Sequence, residues 1–179
     1  MNDFNVLDHM KEMTADEIAA EVRTNTIPAA AAMLNIEGDF NFAQMVRSAN
    51  FFGLERCFYA GKRKWDRRAA VGTHNYTPVQ FVDDPARLVE EIRAAGYVPV
   101  AVENNVNYEM FRFTEYNWPL FSKPCVIFGS EAHGLPSEVL DECAAVVTIP
   151  GRGSVRSLNV GASAATIFSY LSCTVYSQW

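Results

Sequence analysis

The stretch "PCVIFGSEAHGLPSEVLDEC", Pro124 to Cys143, decides the fold. Its opening run, Pro124 to Phe128, is strongly apolar and predicts a buried strand. A glycine-bounded loop, "GSEAHGL", follows. "PSEVLDEC" then predicts a short helix with proline at its start, where the missing N–H costs nothing.

The same alternation extends in both directions. "PAAAAMLNI", "LERCFYA", "VQFV", "YVPVAVE" and "AAVVTI" predict further strands. Asn41 to Phe52 has helical periodicity, with Phe42, Met45, Val46 and Ala49 on one face. "DPARLVEEIRAAGY" predicts a helix with Asp84 as N-cap, Pro85 in the first turn and an end at Gly96. Leu158 to Tyr170 or beyond predicts the last helix. Thr14-Ala-Asp-Glu17 is a capping-box signature before "IAAEV" and predicts a short acidic helix. Short strands alternating with helices imply an α/β domain with a mainly parallel sheet, and ligands of such sheets sit at the carboxyl ends of strands.

The chain has 179 residues and is 49% hydrophobic, enough for one full core. Its organisation reads as an acidic N-terminal extension over 1–26 and one domain over 27–179. The net charge is −6, and residues 1–40 hold eight acids against two bases. Residues 41–179 hold 13 acids and 13 bases, so the acidity belongs to the N-terminal part of the chain. "MNDFNVLDHMKEM" does not read as a signal peptide. Cys57, Cys125, Cys143 and Cys173 are scattered, without zinc-ligand spacing, and predict free thiols in a reducing cytoplasm. No metal or membrane partner is expected.

Three loops can carry chemistry. In "GSEAHGL", Gly129 and Gly134 surround Glu131 and His133; Glu131 reads either as a capping carboxylate of the turn or as a site residue. "PGRGSVRSLNVG" begins like a dinucleotide fingerprint, but Arg156 stands where the third glycine belongs, so that motif fails. "GKRKWDRR" holds five of the fifteen bases, Lys62, Arg63, Lys64, Arg67 and Arg68, around Trp65. Positive charge interleaved with an aromatic suits RNA, while the alternative is a solvated charge run with Trp65 tucked into the body. Asn41 reads as a helix cap or a site residue. Arg47 lies six positions further along the helix, so the two do not face each other.

Three of these stretches together resemble the SpoU/TrmH family of SPOUT RNA 2′-O-ribose methyltransferases. They are "NFAQMVRSANFFGLERCFYAG", "PCVIFGSEAHGLPSEVLDEC" and "VVTIPGRGSVRSLNVGASAA", in the family's order and spacing, within a resemblance covering about residues 30 to 174. The resemblance implies a SPOUT-type α/β knot domain: a mainly parallel sheet flanked by helices, with a deep trefoil knot in about 124–174. It implies a homodimer, S-adenosylmethionine as methyl donor, and transfer to a ribose 2′-hydroxyl of tRNA or rRNA.

Site residues follow by match. Arg47 and Asn41 are implied near the target ribose and its phosphate. Glu131, Ser157 and Asn159 are implied as the remaining catalytic polar groups. Gly129, Glu131, Gly134, Ile149 and Leu158 are implied at the cofactor, and Lys62, Arg63, Lys64, Trp65, Arg67 and Arg68 become the candidate RNA contacts. Two positions depart from the family: Gly161 replaces a common serine, which predicts a looser helix start, and "IPGRG" replaces Ile-Pro-Met. The acidic N-terminal helix is not expected to touch RNA.

Overall fold

A computed structural model describes residues 5–35, 40–104, 106–118 and 122–178. Seven strands form one parallel sheet: β1 (Ile27–Asn35), β2 (Leu54–Gly61), β3 (Val79–Val82), β4 (Tyr97–Val102), β5 (Met110–Arg112), β6 (Lys123–Phe128) and β7 (Ala145–Thr148). Their order is β3-β2-β1-β6-β4-β7-β5. The chain builds β1, β2 and β3 outward, crosses to β4 and β5, and then inserts β6 between β1 and β4 and β7 between β4 and β5. Both late strands fill gaps left by earlier ones.

Among the described residues five α-helices flank the sheet: α1 (Ala15–Arg23), α2 (Phe40–Phe51), α3 (Leu88–Ala94), α4 (Ser137–Glu142) and α5 (Val160–Tyr170). Alternation along the strands sorts the core into two layers. Ala29, Ala31 and Met33 of β1 face α2 and α5, through Phe42, Met45, Ile167 and Phe168. Ala30, Ala32 and Leu34 face α3 and α4, through Leu88, Ile92, Val139 and Leu140. The alanine run of β1 is fully buried, so its small side chains let helices pack closely on both faces.

Most expected elements are present, with shifted edges. The last helix starts at Val160 because Asn159 caps it, its side-chain oxygen accepting the Ala162 N–H. Asn41 falls inside the first turn of α2, one residue past Phe40, so it is not the cap. Ile36, the last residue expected in the first strand, lies outside the described residues. Asp84 caps a 3-10 turn, Pro85–Arg87, which leads into α3. Strand β5 was not expected; it is three residues long and, among the described residues, pairs as an edge strand with β7.

The N-terminal helix forms as its signature predicts. Thr14 and Glu17 satisfy each other's backbone N–H groups, and Ile18 with Met10 packs on Tyr76. The acidic extension is therefore docked on the segment after the basic run. Among the described residues no helix is long and apolar enough to cross a membrane.

Candidate active site

Register places the site. Val102 of β4 lies level with Phe128 of β6 and with Val147 of β7. The chain therefore leaves three neighbouring strands at one edge, as Glu103, Gly129 and Ile149. A cleft of about 670 Å³ opens there, within the range of small-molecule sites. Its apolar walls are Val102, Phe128, Leu135, Ile149 and Leu158, and its polar groups include Glu103, Asn104, Glu131, Ser157 and Asn159. All five residues expected at the cofactor line this one cleft.

Asn159 joins the three sequence blocks. Its Nδ2 donates to Glu131 Oε1 at 2.5 Å and to Asn41 Oδ1 at 3.1 Å. Its Oδ1 accepts the Ala162 N–H at 3.2 Å. The cap fixes which end of the amide points into the helix, so the two N–H groups must face Asn41 and Glu131. Asn159 is thereby occupied as an organiser of the site. Glu131 Oε2 and Asn41 Nδ2 have no hydrogen-bond partner among the described residues.

Sequence reasoning missed Glu103. It is half-buried, and its carboxylate accepts the Leu135 N–H at 2.6 Å and the Asn104 N–H at 3.2 Å. Burial raises its pKa against these two donors, which lower it. It pins the Gly134-Leu135 turn to the end of β4. Gly134 has a left-handed φ of 65°, and a Cβ there would meet Glu103 Oε1 at 2.5 Å. The signal in the sequence was a lone carboxylate closing the apolar strand "YVPVAV", without a motif around it.

Gly129 is required by the path of the chain itself. A Cβ at Gly129 would collide with the backbone of Gly134 and Leu135. Ser130 and Gly134 form a bridge there, with the Gly134 N–H donating to Ser130 O at 2.9 Å. The glycine admits the chain's own return. Gly161 is likewise filled: a Cβ would run into Gln44 Oε1 and approach Asn159 Oδ1. Gln44 of α2 takes the volume a serine side chain would use, and the helix start is capped rather than loosened.

Arg47 is exposed on α2 and is not among the residues lining the cleft. It sits about 9 Å along the axis from Asn41 and about 120° around it. Phe40 and Phe51, 51% and 80% exposed, share its side of the helix, each within about 40° of Arg47.

The basic run divides in two. Arg68 is held by Asp66 through paired hydrogen bonds, which pull the Asp66 carboxyl down to about 2. Trp65 is half-buried, edge-on to Phe42 of the core and to His74. Its ring packs against the body on that side. Arg67 lies over Trp65 at 5.7 Å, and Arg63 over Phe81 at 5.8 Å.

These features define a parallel α/β domain with a small-molecule cleft at the carboxyl edge of its sheet, organised by one asparagine from three separated segments. The family model of the SpoU rRNA methylase family matches residues 28–170, and the chain belongs to that family. It is 26% identical over 138 residues to a tRNA (guanosine(18)-2′-O)-methyltransferase of Aquifex aeolicus, a match covering 74% of this chain and 63% of the relative. It is 27% identical over 162 residues to a protein of Mycolicibacterium vanbaalenii named uncharacterized tRNA/rRNA methyltransferase, covering 86% and 49%. The chain thus matches about half to two-thirds of the length of these curated relatives.

Two solved structures share the fold. The TrmH/SpoU tRNA modifying enzyme of A. aeolicus has a TM-score of 0.71 at 20% identity, covering 86% of this chain and 78% of that one. The SpoU methyltransferase AviRb of Streptomyces viridochromogenes, in complex with AdoMet, has a TM-score of 0.70 at 23% identity, covering 83% and 60%.

Proposed function

We propose that the protein transfers a methyl group from S-adenosylmethionine to a ribose 2′-hydroxyl of RNA, in tRNA or rRNA. The observation that carries this reading is the convergence of Asn41, Glu131 and Asn159 at the mouth of the cleft. The cleft fits the donor: its apolar walls suit an adenine, and the Glu103 carboxylate and Asn104 amide suit hydroxyl groups.

S-adenosylmethionine supplies a methyl group already activated by its positive sulfur. The protein's task is alignment of the 2′-oxygen and acceptance of its proton. Asn159 holds Glu131 and Asn41 in fixed relation, so a hydroxyl placed between them meets a carboxylate acceptor and an amide donor. Glu131 Oε2 is the group available to take the proton. Arg47, with its forked guanidinium donors, acts by binding the phosphate beside the target ribose. Ser157, on the cleft wall, adds one more hydroxyl for orientation.

We infer a homodimer, supported by the exposed stripe Phe40–Arg47–Phe51 on α2. Lys62 and Lys64 belong to the RNA face. The cytoplasmic assignment is supported by four free cysteines.

The test combines a calorimetric titration with S-adenosylmethionine and nucleoside mass spectrometry of RNA from cells with and without the protein. Saturable binding and loss of one ribose-methylated nucleoside are expected. Donor binding with no change in any methylated nucleoside would favour a non-catalytic RNA-binding module, and loss of a base-methylated nucleoside would overturn the ribose assignment. Arg47→Lys should keep donor binding and lose most turnover.

A further inference from the structure

A second cavity, of about 520 Å³, lies away from the cleft, between α1 and the chain from residue 63 to residue 81. Three guanidinium groups line it: Arg23 from the last turn of α1, and Arg63 and Arg67 from the basic run. None of the three is paired with a carboxylate among the described residues. The lining contains one acid, Asp16. By contrast Arg68, one position from Arg67, is neutralised by Asp66 and does not line the cavity.

Two of these arginines are positioned rather than loose. Arg63 rests over Phe81 and Arg67 over Trp65. Such stacking lowers the rotamer entropy that binding would otherwise cost. Trp65 is itself fixed by Phe42, so the chain of contacts runs from the core to the cavity. Guanidinium planes held this way offer forked N–H donors to phosphate oxygens and flat faces to an unstacked base.

We propose that this cavity seats a phosphate-bearing nucleotide of a single-stranded RNA segment, and that α1 is part of the RNA-binding surface through Arg23. The proposal rests on the RNA methyltransferase reading and extends it to a segment outside the residues that match the family. It also revises the expectation for the acidic helix: α1 brings Arg23 to the cavity together with one acid, Asp16, while Glu17 and Glu21 lie outside the lining. The shared chemistry is a phosphate on converging arginines, and two sources could supply it, an RNA strand or a free nucleotide.

The experiment measures binding of a 5′-fluorescein-labelled single-stranded RNA by anisotropy, across a salt series, for the wild type, Arg23→Gln, Arg63→Gln and Arg87→Gln. Arg87 is paired with Glu90 and Glu91 on α3 and controls for loss of one positive charge. One phosphate contact contributes about 0.7–0.9 to the slope of log K against log salt, so each groove variant should lose about five- to eightfold affinity at 0.1 M salt, with a slope shallower by that amount. Arg87→Gln should match the wild type. Wild-type affinity and slope in both Arg23→Gln and Arg63→Gln would overturn the groove. Adenosine monophosphate displacing the RNA at micromolar concentration would assign the cavity to free nucleotides and overturn the RNA seat. Wild-type protein that binds S-adenosylmethionine but no RNA would overturn the RNA reading itself, which separates the two failures. Arg23 and Arg63 are exposed, so their glutamine variants leave the core intact. Unchanged S-adenosylmethionine affinity confirms folding in each.

Discussion

Asn159 does two separable jobs. It caps α5, and it holds Asn41 and Glu131 together. Replacing it with alanine removes both, so Asn159→Ala should lose about 1 kcal/mol of stability with the cap and lower turnover at least about tenfold. Asn159→Asp keeps a good cap but removes both N–H donors and sets a carboxylate against Glu131. It should melt higher than the alanine variant and turn over no faster. Thermal melts with single-turnover methylation measure both, and wild-type turnover in Asn159→Ala would remove it from the site. Glu103 supports a pH prediction. Its folded pKa is raised from 4.5, so the unfolded chain ionises first as pH climbs through that value. Ionisation of Glu103 therefore favours unfolding between its unfolded and folded pKa, and its contribution, full below pH 4.5, is lost across that window. Glu103→Gln keeps one acceptor oxygen, enough for the Leu135 N–H but not for Asn104 as well, and it cannot ionise, so it should gain melting temperature relative to the wild type as pH rises from 4 to 7. A constant difference across that range would show that Glu103 titrates normally. Asn159 was legible in the sequence because it sits in an ordered set of blocks. Glu103 was not, because its partners are backbone N–H groups, which leave no trace in residue type.

The helices and central strands were legible because each has a face to bury and a cap or proline to mark its start. Thr14, Asp84 and Pro136 all stand where their chemistry predicts. Strand β5 was not legible: in "EMFRF" only Met110 to Arg112 pair, and the pairing depends on β7, far along the chain. The α2–α5 packing was hidden for the same reason. Nothing in "NVGASAA" says that Gln44, more than a hundred residues earlier, fills the space above Gly161. Restoring a serine there tests that packing. Gly161→Ser should cost on the order of 1–3 kcal/mol by overpacking against Gln44. Gln44→Ala should recover most of the loss in the double variant. A coupling energy near zero in that double-mutant cycle, from chemical denaturation, would place Gln44 elsewhere.

On the scale of the whole molecule, the arginine assigned to the phosphate beside the target ribose does not line the cleft. Arg47 points out from α2 between two exposed phenylalanines, while Asn41, on the same helix, reaches into the site. A second copy covering the stripe would bury Phe40 and Phe51 and bring Arg47 into a composite surface beside a cleft. An exposed phenylalanine stripe is costly in water, and its burial drives association. Phe51→Asp should therefore convert a dimer of twice 20.0 kDa into a monomer of that mass, read by light scattering at fixed concentration. Phe51 lies outside the cleft lining, so the monomer should still bind S-adenosylmethionine with wild-type affinity. Its turnover should fall as far as that of Arg47→Lys, because both variants leave the cleft without its arginine. A Phe51→Asp protein that is monomeric yet fully active would show that one copy supplies every group the reaction needs. It would also place the phosphate contact of Arg47 at the site of its own chain rather than at a composite one.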